Sequence, residues 1–360
     1  MKIVTVVGAR PQFIKAAAVS RKLREEHQEV MIHTGQHYDP NMSEIFFEEL
    51  KIPHPDINLG VGSGSHAKQT AEMLVGVESI LLKENPDYLM VYGDTNSTLA
   101  GALAASKLHI PVIHVEAGLR SYNMLMPEEQ NRVLTDHISS LLLCPTNQAV
   151  DNLEKEGIIK GVHNIGDVMC DAVLFYSGLM EQFDRTYYFD RVKSLYEETD
   201  QVQAWYLATI HRAENTDDAG KIERILNAFE AMDEKVIFPV HPRTRHFIDG
   251  LYQEHQYKNI LFIEPVGYLD MLYFAKNAKK VVTDSGGLQK EAYILDTPCV
   301  TVRDQTEWVE TLKGGFNVLT RPDTEEILDK VNHVNPDQSM RSMYYGEGDA
   351  AEKLCRLLRG

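Results

Sequence analysis

The sequence predicts an α/β protein made of two doubly wound parallel-sheet domains facing each other. Three observations predict it. Short runs rich in Val, Ile and Leu alternate with longer amphipathic segments, the pattern of a parallel sheet covered by helices on both faces. The alternation occurs once in each half of the 360 residues, so length and pattern agree on about two domains. The segments that follow the strands are strongly polar, and open α/β sheets bind their ligands outside those strand ends.

In order, the first half carries KIVTVV (2–7), VMIHT (30–34), YLMVY (88–92), PVIHV (111–115) and SLLLC (140–144). The second carries WYLATI (205–210), KVIFPV (235–240), NILFIE (259–264), KVVTD (280–284) and CVTV (299–302). Between about 168 and 203 the chain is polar and charged, with EQFDRTYYFDRVKS and no clear strand, and the domain junction is placed near its start. GVGSGS (60–65) lacks the GxGxxG spacing, and the preceding PHPDINL is not a convincing core strand. It reads as a flexible loop, which disfavours nicotinamide binding.

Lys plus Arg is 36 and Asp plus Glu is 53, a net charge of −17 that repels polyanions and anionic membrane surfaces. Nucleic acid and membrane partners are therefore not expected. Cys144, Cys170, Cys299 and Cys355 are far apart, with no CxxC pair, and read as buried reduced thiols. The opening MKIVTVVGARP is a strand running into a turn, without the cationic head and long apolar stretch of a signal peptide, and no apolar run approaches the ~20 residues that span a bilayer. A cytoplasmic protein is the expectation.

The strand tips read GARPQ (8–12), GQHYD (35–39), GDTNS (93–97), EAGLR (116–120), HRAEN (211–215), HPRTR (241–245), DSGGLQKE (284–291) and RDQTEW (303–308). Arg10, Arg120, Arg212, Arg243, Arg245 and Arg303 all fall in these tips, which gathers cationic charge where a cleft would be and points to an anionic small molecule. DSGG would put Ser285, Gly286 and Gly287 at a helix amino end, where backbone N–H groups and the helix dipole favour phosphate. An N-capping Ser285 with turn-filling glycines reads as well. GARP offers a similar turn with Arg10; Lys15 lies one helical turn further on, a position that favours a solvated helix residue.

His33 with His37, and His241 with His246, have near-helical spacing, yet no HExxH, cysteine cluster or carboxylate triplet accompanies them, so no metal site is expected. The carboxylates Asp94, Glu116 and Glu128 stand at adjacent tips, with Glu129 beside Glu128 and Arg132 one turn onward. Acidic groups beside an anion cleft cost electrostatic energy, which points to acid–base chemistry. A capping role for Asp94 and a salt bridge from Glu128 to Arg132 are the plainer readings. The Ala117–Gly118 pair after Glu116 would leave space for a ring.

GARPQFIK (8–15), TGQH (34–37), YGDTNST (92–98), HVEAGLRS (114–121), MPEEQNR (126–132), HRAEN, HPRT, DSGGLQKE and RDQTEW occur in one order from the first strand to about residue 320 and resemble the non-hydrolysing UDP-N-acetylglucosamine 2-epimerases. The resemblance implies two facing Rossmann-like domains of the glycosyltransferase-B type, 1–168 and 169–360, with the active site in the interdomain cleft and a terminal helix able to pack back on the first domain. It also implies a homodimer, a UDP-sugar substrate, no nicotinamide and no metal. The family interconverts UDP-N-acetylglucosamine and UDP-N-acetylmannosamine through elimination of UDP to 2-acetamidoglucal and re-addition. Asp94, Glu116 and Glu128 match its acid–base carboxylates, and His211 the histidine supporting the diphosphate. Arg10 matches a phosphate contact, Ser285 and Gly286 the backbone phosphate site, and Glu291 the ribose-binding glutamate. Lys15 and Arg132 fall at positions the family also places in the site.

GDT at 93–95 resembles the non-hydrolysing branch, whereas hydrolysing relatives more often carry GDR. Met271 stands where an aromatic residue is common beside the uracil, SYNMLM is short, and RDQTEW replaces RDTTERPE. These features resemble enzymes acting on UDP-sugars altered at C3 or C6, such as UDP-2,3-diacetamido-glucuronate. YDPNMSE, after TGQH, departs from the pattern associated with activation by a second UDP-N-acetylglucosamine. Rival readings are a UDP-sugar glycosyltransferase, which would need an acceptor patch, and a non-catalytic UDP-sugar sensor, which would not need three carboxylates.

Overall fold

Strands buried on both faces need apolar side chains at nearly every position, and KIVTVV meets that need: Ile3, Val4, Val6 and Val7 are fully buried. The computed structural model describes residues 1–35, 44–196 and 202–359, so the readings on Gln36, His37 and residues 38–43 of YDPNMSE fall outside the described residues. The chain divides into two compact units, Met1–Phe175 with Met343–Gly360, and Tyr176–Ser342. The division falls inside the helix Val168–Met180, a few residues beyond the junction read from the sequence.

The first unit contains β1 (Lys2–Val7), β2 (Gln28–His33), β3 (Ile57–Asn58), β4 (Tyr88–Tyr92), β5 (Val112–Val115), β6 (Leu141–Cys144) and β7 (Val162–Asn164). They form a parallel sheet in the order β3-β2-β1-β4-β5-β6-β7, with Val4 beside Val30 on one side and Leu89 on the other. The winding reverses between β1 and β4, so the turns after those two strands diverge and leave a crevice. Helix Asn96–Lys107 approaches the sheet closely because its inner face is small. A Cβ on Gly101 would lie 3.2 Å from Val91 Cγ1 and 3.4 Å from Val6.

The second unit repeats the plan with β8 (Trp205–Thr209), β9 (Lys235–Pro239), β10 (Ile260–Ile263), β11 (Val281–Thr283), β12 (Cys299–Val302) and β13 (Asn317–Thr320), in the parallel order β10-β9-β8-β11-β12-β13. Its reversal lies between β8 and β11. Aromatic edges fill this core: Phe229 and Phe238 meet at 5.8 Å in a T-shaped pair, and Trp205 donates its indole N–H to Phe274 O at 2.9 Å. The ten runs read from the sequence all appear as strands; β3, β7 and β13 were not among them. Each lies at a sheet edge, where few residues pair and polar side chains such as His163, Asn164 and Asn317 are tolerated. All four cysteines are buried and free. Among the described residues, no helix is long and apolar enough to cross a membrane.

The terminal helix Ala350–Arg359 belongs to the first unit, and its amino end is capped from a distance. Asp171 accepts the Ala350 N–H at 3.1 Å and the Ala351 N–H at 2.8 Å, satisfying donors the helix cannot pair itself. Asp171→Ala is therefore expected to lower the stability of the first unit by about 1–2 kcal/mol. It should also speed amide hydrogen exchange in residues 350–359. Urea denaturation with exchange mass spectrometry measures both, and unchanged exchange there would contradict the capping role.

Candidate active site

In the first unit the crevice begins with the β1 turn. Gly8 has no room for a side chain, since a Cβ would sit 2.6 Å from Thr34 Oγ1 and would overlap Ser97. Gln12, nearly buried, accepts the N–H groups of Gly8 at 2.8 Å and Ala9 at 3.2 Å, and donates to Tyr92 O at 2.6 Å. One carboxamide thus ties the turn after β1 to the end of β4. Arg10 opens the helix Arg10–Glu26 at this turn.

Three turns supply the carboxylates. Asp94 follows Gly93, whose φ of +62° turns the chain sharply after β4. Asp94 does not cap the next helix; Thr95 does, accepting from Thr98 N at 3.3 Å. Its carboxylate pairs with Arg132 instead. Burial pushes the Asp94 carboxyl above its ordinary value; Arg132 and Lys15 oppose the shift, and Glu116 and Glu128 add to it.

Glu116 follows β5 with φ +72°, a left-handed conformation that costs a residue with a Cβ of order 1 kcal/mol. Lys15 reaches its carboxylate in an ion pair, with side chains 15% and 6% exposed, so Lys15 is not a solvated helix residue. A Cβ at Gly93 would stand 3.2 Å from Glu116 Oε2, so the missing side chain keeps that carboxylate's place clear. Gly118 serves packing, not a ring: at φ +78° its Cβ would overlap the Ala149 carbonyl, and Ala117 is fully buried.

Glu128 and Glu129 start the helix Pro127–Ile138. The salt bridge expected from Glu128 goes to Glu129, which meets Arg132 at 2.9 Å and accepts Ser121 N at 2.9 Å and Tyr122 N at 2.8 Å. Burial pushes the Glu129 carboxyl up, but these hydrogen bonds outweigh it and hold it below its ordinary value. Glu129 therefore orients Arg132 toward Asp94, a role the sequence pointed to only through the i, i+3 spacing.

In the second unit the turns after β8 and β11 are joined by Asp284, which is fully buried. It accepts His211 N at 3.0 Å, Arg212 N at 2.9 Å and Asn215 Nδ2 at 3.0 Å. Sequence reasoning took Asp284 for a strand end and missed this link; an acidic residue directly before Ser-Gly-Gly was the available signal. The His211 ring is held below its usual value by burial, with His241, Arg212 and Arg243 adding and Asp284 opposing. It is therefore mostly neutral at neutral pH.

Ser285 precedes the helix Gly286–Ile294 but makes no side-chain cap bond, so the plain capping reading fails. A Cβ on Gly286 would run into Glu307 Oε1 and lie 3.5 Å from Arg212 Nη2. Glu291, in the same helix, accepts the Tyr268 hydroxyl at 3.1 Å, and Met271 lies half-buried in the helix Tyr268–Lys276. The arginines expected to form an open cationic patch are largely engaged within the chain. Arg120 is 1% exposed between Asp136 and Glu156, Arg303 holds Glu307 at 2.9 Å, and Arg243 holds Asp217 at 2.9 Å. His33 packs edge-on against Phe13 at 5.0 Å, and His246 lies 3.7 Å from the Phe247 ring.

Residues 21–359 match the family model described as UDP-N-acetylglucosamine 2-epimerase. The chain is 53% identical to a Methanococcus maripaludis protein named UDP-N-acetylglucosamine 2-epimerase homolog, over 100% of this chain and 99% of that one. It is 46% identical to the UDP-2,3-diacetamido-2,3-dideoxy-D-glucuronate 2-epimerase of Pseudomonas aeruginosa, covering 99% of each. Among solved structures it is similar to the UDP-GlcNAc 2-epimerase of Methanocaldococcus jannaschii crystallised with UDP-GlcNAc and UDP, with a TM-score of 0.87, 42% identity and coverage of 100% and 99%.

The raised Asp94 carboxyl has a consequence for stability. Its folded value lies above its unfolded value, so the stability it lends is full at low pH and is lost as pH rises through the folded value. Asp94→Asn mimics the protonated form. The variant should melt at or above the wild type near pH 7.5, and the difference should shrink as pH falls and vanish by about pH 3, where the unfolded chain also holds the proton. Calorimetry at both pH values measures this; an Asn variant less stable only at the higher pH would reverse the sign.

Proposed function

The chain belongs to the UDP-N-acetylglucosamine 2-epimerase family, and from that premise we propose that it reversibly inverts C2 of a UDP-2-acetamido sugar without hydrolysing it. The hydrogen at C2 is not adjacent to a carbonyl and resists direct removal. Elimination avoids the difficulty: a carboxylate takes the C2 proton, the C–H electron pair forms a C1=C2 bond, and the C1–O pair leaves with UDP. Return of a proton to the other face of C2, with attack of the UDP oxygen on C1, gives the epimer.

The observation that carries the proposal is the left-handed, Lys15-paired Glu116 near Asp94, whose carboxyl is raised by burial and paired with Arg132. Two carboxylates at neighbouring strand ends, each held by its own cation, suit the removal and return of one proton. We assign Glu116 to proton removal, Asp94 to proton return and Glu128 to the same pair's support, with roles exchanging in the reverse direction. Arg132 and Lys15 hold these carboxylates. In the second unit, neutral His211, Arg10's counterpart in charge Arg212, and the N–H groups of Ser285 and Gly286 would take the diphosphate; Arg10 adds a phosphate contact, and Glu291 and Met271 the nucleoside.

The reading of reversible epimerisation rests on the resemblance of GDT at 93–95 to the non-hydrolysing branch. A homodimer is the expected assembly. The substrate in the name of the Pseudomonas relative, together with RDQTEW, supports a second reading in which the sugar carries substituents at C3 and C6.

The test is incubation in deuterated water with UDP-N-acetylglucosamine and, separately, UDP-2,3-diacetamido-2,3-dideoxy-glucuronate, followed at C2 by NMR. Deuterium at C2 with the manno isomer is expected for one of them, and free sugar without exchange would overturn the proposal. Asp94→Asn, Glu116→Gln and Glu128→Gln should each slow turnover about 10²- to 10⁴-fold with UDP affinity retained. Gly286→Val should instead weaken UDP binding by about tenfold or more, measured by calorimetry. A folded carboxylate variant with normal turnover would remove that residue from the mechanism.

A further inference from the structure

We propose that His114 is a positioning residue whose ring locks the Gly93–Asp94 turn to the strand that carries Glu116. His114 lies in β5, fully buried, with Val91 of β4 as its strand neighbour. Its Nε2 is 2.8 Å from Gly93 O; a carbonyl only accepts, so Nε2 carries the hydrogen and donates it. Its Nδ1 is 2.6 Å from Asp136 Oδ1.

Asp136 is itself fixed. Its Oδ2 accepts Gly118 N at 3.1 Å and Arg120 Nη1 at 2.7 Å, and Arg120 continues to Glu156 at 2.7 and 2.8 Å. Burial pushes the Asp136 carboxyl up, but His114 and Arg120 outweigh it and hold it below its ordinary value, so the ring is anchored to an ionised group. The Asp136 side of this chain would serve a purely structural histidine. The Gly93 side has another consequence. Gly93 gives its N–H to Val115 O at 3.0 Å and then turns away at φ +62°, so its carbonyl has left the ladder and the imidazole takes it. The next residue is Asp94, whose carbonyl is held by Asn131 Nδ2 at 2.9 Å. With both flanking carbonyls held, the backbone that carries Asp94 is fixed in place, and from it the side chain meets Arg132.

Which atoms react rests on the epimerase reading; the locking of the turn does not. Two substitutions separate the two ends of the ring, because Gln places its amide nitrogen near the position of Nε2 and Asn near that of Nδ1. His114→Gln should keep turnover within about tenfold of wild type, whereas His114→Asn should lose about 10²-fold, the scale of a 1 Å misplacement. UDP affinity should stay within about twofold in both. Asp136→Asn, which weakens the anchor but leaves the Gly93 bond in reach, should lower the melting temperature more than it lowers turnover, and it serves if His114→Asn does not fold.

Crystal structures of the variants supply an arm independent of activity: residues 93–95 should superpose on wild type in His114→Gln and shift in His114→Asn. Equal losses of turnover that track melting temperature, or an unmoved turn in His114→Asn, would overturn the proposal. If the wild-type protein epimerises neither sugar, the reaction assignment fails, and the crystal structures still decide the role of His114.

Discussion

A doubly wound sheet depends on what happens to backbone groups where its winding reverses. Neighbouring strands there send their chains to opposite faces, and the N–H and C=O groups of the two turns have no ladder partner. In each unit one side chain bridges the two turns. In the first, Gln12 both accepts and donates, matching the Gly8 and Ala9 amides on one side and the Tyr92 carbonyl on the other. In the second, Asp284 faces only donors, from His211, Arg212 and Asn215, and a carboxylate suffices. Arg10 and Asp94 in the first unit, and His211, Ser285 and Gly286 in the second, sit on the turns these two groups hold, while Glu116 follows β5 and Glu128 starts the helix Pro127–Ile138.

The electrostatics of the first unit follow from that rigidity. Asp94, Glu116, Glu128 and Glu129 approach one another in a chain that is already strongly acidic, and Lys15 and Arg132 offset part of the repulsion. Glu129 is the member satisfied by backbone amides and held low, while Asp94 is the one pushed up. Environment, and not residue type, separates a structural carboxylate from one able to exchange a proton. The second unit keeps its cations near its own carboxylates, so that Arg303 and Glu307 form a ready-made pair beside the glycine-rich helix start.

The sheets were legible because continuous apolar runs are what double burial demands, and the polar tips were legible because a switch point must be polar. Edge strands such as Val162–Asn164 escaped because an edge needs neither length nor apolarity. Lys15 was misjudged since its helical position says nothing of the residue 101 positions away that it meets. Gln12, His114 and Asp284 were passed over for a related reason. Their work is to bridge turns far apart in sequence, and spacing alone carries no trace of it. Arg120 shows the converse, a tip arginine spent on Asp136 and Glu156.

The backbone of Glu116 carries a meaning beyond this one chain. A left-handed φ of +72° suits glycine best and asparagine next, so glutamate there is the less stable choice. Random mutation offers routes to a steadier backbone at that position, and if the carboxylate does the chemistry proposed for it, selection would resist them. Descendants released from that selection would drift toward glycine or asparagine at this place. The residue found there in a sister lineage therefore records whether its ancestors remained under pressure to keep the acid.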